Sequence, residues 1–132
     1  GVKDSSYNLY EKIQIENFFV LPGSELKLLK GLEAGCAGII TATCNVTAKL
    51  SRQVYDDFMK KNSQTANEIL CSIRSTFDKF NLISGLHSFM SDEDIIFKNV
   101  LPPLALLIEK DKKKLIEDLQ KLNFTLESLK VT

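Results

Sequence analysis

The sequence has no tryptophan, a single histidine, three cysteines and three prolines in 132 residues. One histidine, His87, cannot assemble a metal cluster, and no second ligand set accompanies it, so a structural role is expected for that ring. Cys36, Cys44 and Cys71 are odd in number and lie in mostly apolar surroundings. Their spacing fits neither a zinc site nor a C-x-x-C pair, which leaves packed thiols kept reduced. No apolar run approaches the ~20 residues of a membrane span, and no secretory-leader pattern opens the chain. These absences give a cytoplasmic location as the expectation. An excess of one charge is also missing, since Lys+Arg and Asp+Glu are both 17. A nucleic-acid partner shows as a clustered basic surplus. The densest run, EKDKKK at 109–114, opens an amphipathic stretch and reads as a solvated helix face. No metal, organic cofactor, nucleic acid or membrane is implied.

What is present is an ordinary globular mixture, 44% hydrophobic and 26% charged, long enough for a real core. GVK at the start reads as the tail of a strand. SYNLYEKIQIE suits a helix, with Asn8 and Glu11 at capping-box spacing. Phe18 to Leu21, four apolar residues ended by Pro22 and Gly23, read as a strand buried on both faces. LKLLKGLEAG puts Leu26, Leu29 and Leu32 on one helical stripe with Gly35 as the stop. AGIITATCNV, rich in β-branched residues, reads as a third strand, with Asn45 or Thr47 capping the segment after it.

From about Lys49 onward the pattern is helical. Leu50, Val54 and Phe58 form one stripe, and Ile69, Ile73, Phe77 and Phe80 another. ISGLHSFM and SDEDIIFKNV make one or two short helices, with Ser91 and Asp94 at capping-box spacing. Pro102 and Pro103 break the helix, because each removes a backbone donor. A last amphipathic helix turns Leu115, Leu119 and Leu122 inward, and NFTLESLKVT follows as a docked tail.

Strands about 20 residues apart with helices between them imply parallel pairing through right-handed crossovers. In such sheets chemistry gathers where strands end and helices begin. Lys3, Pro22–Ser24 and Ile40–Thr43 hold that position on the three strands and converge on one rim. A lysine flanked there by apolar strands is expected to be partly desolvated, which favours the neutral amine. A neutral amine can form an imine with a carbonyl substrate. The plainer alternative is a solvated lysine near a ragged terminus. Three parallel strands are also too few to stand alone, so the chain is expected to be part of something larger.

GVKDSS, then FFVLPGSELKLLKGLEAGCAGIITATCNV in register, then a helical tail containing LPPL, resembles the C-terminal half of the dihydrodipicolinate synthase/N-acetylneuraminate lyase family, the pyruvate-type class I aldolases. The likeness runs essentially the whole length, with three motifs in order. Family strands six, seven and eight end in G-[IV]-K, in a glycine turn and in G-x-G-x-[IV]-S-x-x-x-N. Here these stand as Gly1–Lys3, Pro22–Glu25 and Gly35–Asn45, with Thr41 where serine is common.

The resemblance implies an α/β fold. Residues 1–62 would be the last three strand–helix units of a TIM (β/α)8 barrel, and residues 63–132 a C-terminal helical bundle. It makes Lys3 the imine-forming nucleophile of a lyase, acting on pyruvate or another 2-oxo acid. The main chain at Gly23 and Ile40 would line the lysine pocket, and Ser5, Ser24, Glu25 and Ala42 would lie near the distal part of the substrate. Helix capping competes for Ser5 and Ser24, a favourable helix N-terminal charge for Glu25, and a simple turn for Gly23. KDSS leans toward enzymes that cleave 2-keto-3-deoxy sugar acids. The alternatives are a dihydrodipicolinate synthase condensing pyruvate with aspartate semialdehyde, and a non-catalytic half-barrel module. The family's carboxylate-binding G-T-T-G-E turn and its proton-transferring tyrosine do not occur here, so the other barrel half is an implied partner. Family members also imply a homo-oligomer, dimer or tetramer.

Overall fold

The computed structural model describes residues 1–130. The chain forms two compact units, Gly1–Arg74 and the residues from Ser75 onward.

The first unit holds two short parallel strands, β1 (Val2–Asp4) and β2 (Val20–Pro22), paired with Val2 opposite Val20, Lys3 opposite Leu21 and Asp4 opposite Pro22. A 3-10 turn at Glu25–Lys27 leads into α1 (Leu28–Glu33), and α2 (Cys44–Met59) follows. α3 (Asn67–Phe77) carries the chain into the second unit. Helix α1 stops as its glycine requires. Gly35 has φ +88°, its N–H donates to Leu32 O, and the Cys36 N–H donates to Gly31 O. That is a Schellman closure, in which a left-handed residue satisfies the last carbonyls.

Leu28 and Leu32 of α1, Val54 of α2, Ala66 and Leu70 form a buried cluster, flanked by Ile39, Leu50, Tyr55 and Phe58. Each fully buried leucine contributes roughly 1.5–3 kcal/mol relative to exposure. The three cysteines are free and only half-buried, and burial pushes each thiol up from its ordinary pKa.

The second unit is helical among the described residues. It contains α4 (Leu82–Met90), a 3-10 turn at Ile95–Lys98, α5 (Glu109–Gln120) and α6 (Leu126–Lys130). Phe77 meets Phe89 edge-on, with ring centroids 5.8 Å apart, and Phe89 stacks on Phe124. Leu115 and Leu119 of α5 are fully buried. His87 has the structural role expected for it: its Nδ1 is 2.8 Å from the Phe97 carbonyl, to which the protonated nitrogen donates. The last two residues of the expected tail lie outside the described residues.

Several expected elements take a different form. The third strand does not form. Residues 36–41 run without a ladder, and a single strand-like bond links them to the sheet, from Ile40 N–H to Pro22 O. Gly35 and Gly38, both at positive φ, bend the path a strand would follow. The helix expected after β1 is only a 3-10 turn at Leu9–Glu11, and Asn8 makes no capping bond. The carboxylate of Asp4 takes the Ser6, Tyr7 and Leu9 amides and winds the chain around itself instead. Phe18 and Phe19 are exposed rather than strand core. They sit after a tight turn at Asn17, φ 57°, and β2 begins only at Val20. On α1 the buried stripe is Leu28–Leu32, with Leu26 exposed in the preceding 3-10 turn. On α3 it passes through Leu70 rather than Ile69. Asp94 alone caps its turn, accepting from Ile96 N–H, while the Ser91 hydroxyl donates to Ser88 O.

Candidate active site

Alternation along β1 splits two neighbouring charges between opposite faces. Lys3 shares its side with its register partner Leu21 and is exposed, whereas Asp4, on the side facing the helices, is buried. The expected desolvation of Lys3 is therefore not supplied by these residues. A two-stranded ribbon has no wall to close over that face.

The ends of the strands do converge as the sequence suggested. Gly23 N–H donates to Asp4 O at 2.8 Å, and Ile40 N–H donates to Pro22 O at 3.1 Å. The tips of β1, β2 and the 36–41 segment are thus joined in a chain of backbone bonds. Gly23 eases this approach: a Cβ there would stand 3.0 Å from both the Cα and the Oγ of Ser5, which would have to give by a few tenths of an ångström. Its N–H is bound within the chain, and Ser5 lies exposed beside it. Ser24 caps the following turn, accepting from Leu26 N–H at 3.3 Å. The side chain of Ile40 is exposed. The Ala42 carbonyl is engaged by the main-chain and side-chain N–H groups of Asn45, at 3.2 and 2.8 Å.

Glu25 departs most from its expected place. It is 0% exposed and turned inward. Its Oε1 accepts from the hydroxyls of Thr41 at 2.7 Å, Thr43 and Thr47, and its Oε2 accepts from Arg74 Nη1 at 3.0 Å. A buried carboxylate must be paired and hydrogen-bonded, and this one spends its acceptors on the protein rather than on a ligand. Burial alone would raise its pKa. The Thr43 and Thr41 hydroxyls, its own backbone N–H and Arg74 outweigh that and hold it below the usual glutamate value. The expected ligand contact is replaced by an internal network. Asp4 behaves alike: burial pushes it up, but the Leu9, Tyr7 and Ser6 amides bring it below the usual aspartate range.

Sequence reasoning placed Thr43 on the rim without its partner Glu25, and missed Asp4 and Arg74 as parts of this region. Asp4 had a readable signal, since residues i and i+1 on a strand face opposite ways. Arg74 had none, because it arrives from 49 residues beyond Glu25. Among the described residues no His, Cys, Asp and Glu group could hold a metal ion, and no helix is long and apolar enough to cross a membrane.

Comparison with solved structures places this arrangement in a known fold. N-acetylneuraminate lyase from Fusobacterium nucleatum aligns over 95% of this chain and 45% of its own, with TM-score 0.78 and 17% identity. Dihydrodipicolinate synthase from Agrobacterium tumefaciens aligns over 92% and 42%, with TM-score 0.75 and 23% identity. Both are (β/α)8-barrel enzymes, and the likeness covers part of the barrel chain. At the level of sequence, residues 1–122 match the dihydrodipicolinate synthetase family, and the chain belongs to it. The 4-hydroxy-tetrahydrodipicolinate synthase of Archaeoglobus fulgidus is 26% identical over 140 residues, covering 99% of this chain and 46% of the relative. The chain therefore spans about half the length of that relative.

Proposed function

We propose that this chain is the lysine-bearing part of a Schiff-base-forming lyase or synthase, in which Lys3 captures pyruvate or another 2-oxo acid. One observation carries the reading. In a chain of this family, Lys3 stands one residue before the end of β1, in parallel register opposite Leu21, and at the strand tips the glycine turn bonds to Asp4 and the Ile40 segment to Pro22. The amine attacks the 2-oxo carbon, water leaves, and the protonated imine draws electrons from the neighbouring carbon, so that a carbon–carbon bond breaks or forms there. Residues 1–62 supply the last three strand–helix units of the barrel and residues 63–132 a C-terminal helical bundle. The remaining units close over the exposed Lys3 and provide the groups for the carboxylate and the proton.

Of the second substrates, KDSS favours a 2-keto-3-deoxy sugar acid. The Archaeoglobus fulgidus relative favours the alternative, condensation of pyruvate with aspartate semialdehyde. Gly23, Ile40, Ser5 and Ser24 line the lysine pocket and its approach, in a cytoplasmic homo-oligomer. Assays of the full-length polypeptide with 2-keto-3-deoxygluconate and with aspartate semialdehyde separate the two chemistries. Borohydride reduction with pyruvate tests the shared step. The adduct is expected on Lys3, and an adduct elsewhere rejects the assignment. Absence of any adduct favours a non-catalytic barrel module.

A further inference from the structure

The 36–41 segment has a task and little to hold it. Its Ile40 end lies at the tip of β2, yet the ladder of a strand is missing, and Gly35 and Gly38 flank or interrupt it at positive φ. A Cβ at either glycine would touch nothing within 4 Å, so the bends themselves are unpacked, and Ile39 alone of the segment leans on the buried cluster. The polar hold is at the far end. Thr41 donates to Glu25 Oε1 at 2.7 Å and lies 3.0 Å from the Thr43 hydroxyl. Thr43 donates to the same oxygen, and Arg74 Nη1 reaches both Glu25 Oε2 and, at 3.3 Å, the Thr43 hydroxyl. Thr47 on α2 completes the set at 3.1 Å. The carboxylate thus ties the end of β2, the start of α2 and α3 to the one stretch of the rim that lacks ladder bonds.

We propose that Glu25, through Thr41 and Thr43, is the positioning residue of the lysine pocket: it sets where the backbone of residues 40–42 stands relative to Lys3. The inference rests on the Schiff-base reading above. Glu25 does not touch the substrate. It acts by fixing the main chain at the strand tips, where Ile40 N–H bonds to Pro22 O, and hydroxyl donors suit that task because each makes one directed bond to a charged acceptor. An ion pair alone leaves the segment free to slide along the carboxylate.

The test uses the full-length polypeptide and the rate of imine formation with pyruvate, read by borohydride quenching at increasing pyruvate. Thr41→Val removes one hydroxyl and keeps the shape, and Thr41→Ser restores the hydroxyl. A displacement of a few tenths of an ångström is expected to lower the maximal rate about tenfold in Thr41→Val. The half-saturating pyruvate concentration should stay within about twofold, and Thr41→Ser should recover the wild-type rate to within about twofold. Should Thr41→Val lose its helical circular dichroism, Thr41→Ala removes the same hydroxyl without placing a methyl group against the carboxylate, and the same result is expected of it. A maximal rate unchanged in the hydroxyl-free variants, or one equally low in Thr41→Ser, overturns the proposal while leaving the Schiff-base reading intact. Wild-type protein that traps pyruvate nowhere overturns that reading itself, and the positioning role with it.

Discussion

The two faces of the β1–β2 ribbon carry comparable charges and treat them in opposite ways. On the inner face Asp4 is buried, as is Glu25 in the turn that follows β2, and each carboxylate is engaged by several donors. On the outer face, Lys3 stands exposed and forms no ion pair among the described residues. One face has satisfied its charges within the chain, while the other exposes its cation. The inner carboxylates bind backbone and side-chain donors, and the outer amine is the nucleophile of the proposed reaction. Substitutions on the two faces should therefore separate stability from chemistry.

The largest expected effect is on the inner face. Glu25→Ala leaves Arg74 facing a cavity beside hydroxyls that lose their acceptor. Breaking one partner of a buried pair costs about 3–5 kcal/mol, so the urea midpoint of the full-length polypeptide should fall accordingly. A loss below 1 kcal/mol would place the carboxylate in water and erase the contrast between the faces. Next comes Asp4→Ala, which strips the acceptor from three amides of the loop after β1. Orphaned donors of this kind cost about 1–3 kcal/mol in total where the loop can partly rehydrate. Amide exchange at Ser6, Tyr7 and Leu9 should accelerate in the same variant.

Acid sharpens the same division. Asp4 and Glu25 both have pKa values lowered by folding. The unfolded chain therefore takes up protons first, at about pH 4 for ordinary carboxylates, and the stability these groups contribute is present above that pH. It is lost as pH falls through the folded values. Urea midpoints should stay level from pH 7 to about 5 with respect to these two groups and then decline, and the decline should be shallower in Asp4→Asn and Glu25→Gln. An unaltered slope in both variants would mean that other carboxylates govern acid unfolding.

How far the sequence foretold this contrast depends on the range of the interaction. The parallel pairing of β1 with β2, the turn at Pro22–Gly23 and the stop at Gly35 were legible, because each follows from local residue type and spacing. The third strand was misread from its β-branched composition. Propensity records how well Ile39, Ile40 and Thr41 fit a pleated surface, not whether a neighbour offers a ladder. The helix after β1 failed for a related reason, since Asn8 and Glu11 have capping-box spacing but the Asp4 carboxylate reaches the amides first. Glu25 was singled out as a substrate contact, whereas its carboxylate is buried among Thr41, Thr43, Thr47 and Arg74. Its position in the motif is a local fact, whereas its burial depends on Arg74 arriving from α3. The candidate rim was thus legible in its backbone and illegible in its long-range side-chain partners.

The smallest expected effect on stability belongs to the residue with the largest expected effect on chemistry. Lys3→Met keeps a long unbranched side chain and removes the amine from an exposed strand position. No buried partner is orphaned, and β1 keeps its register with β2, which depends on backbone groups alone. Exposed substitutions of this kind usually change stability by no more than about 0.5 kcal/mol. The urea midpoint should therefore be indistinguishable from wild type while borohydride trapping of pyruvate disappears. If Lys3→Met instead destabilises the full-length polypeptide by 2 kcal/mol or more, well outside that ~0.5 kcal/mol range, the amine is held in a structural ion pair by the rest of the barrel. The outer face would then be as completed as the inner one, and a free nucleophile would have to be sought elsewhere.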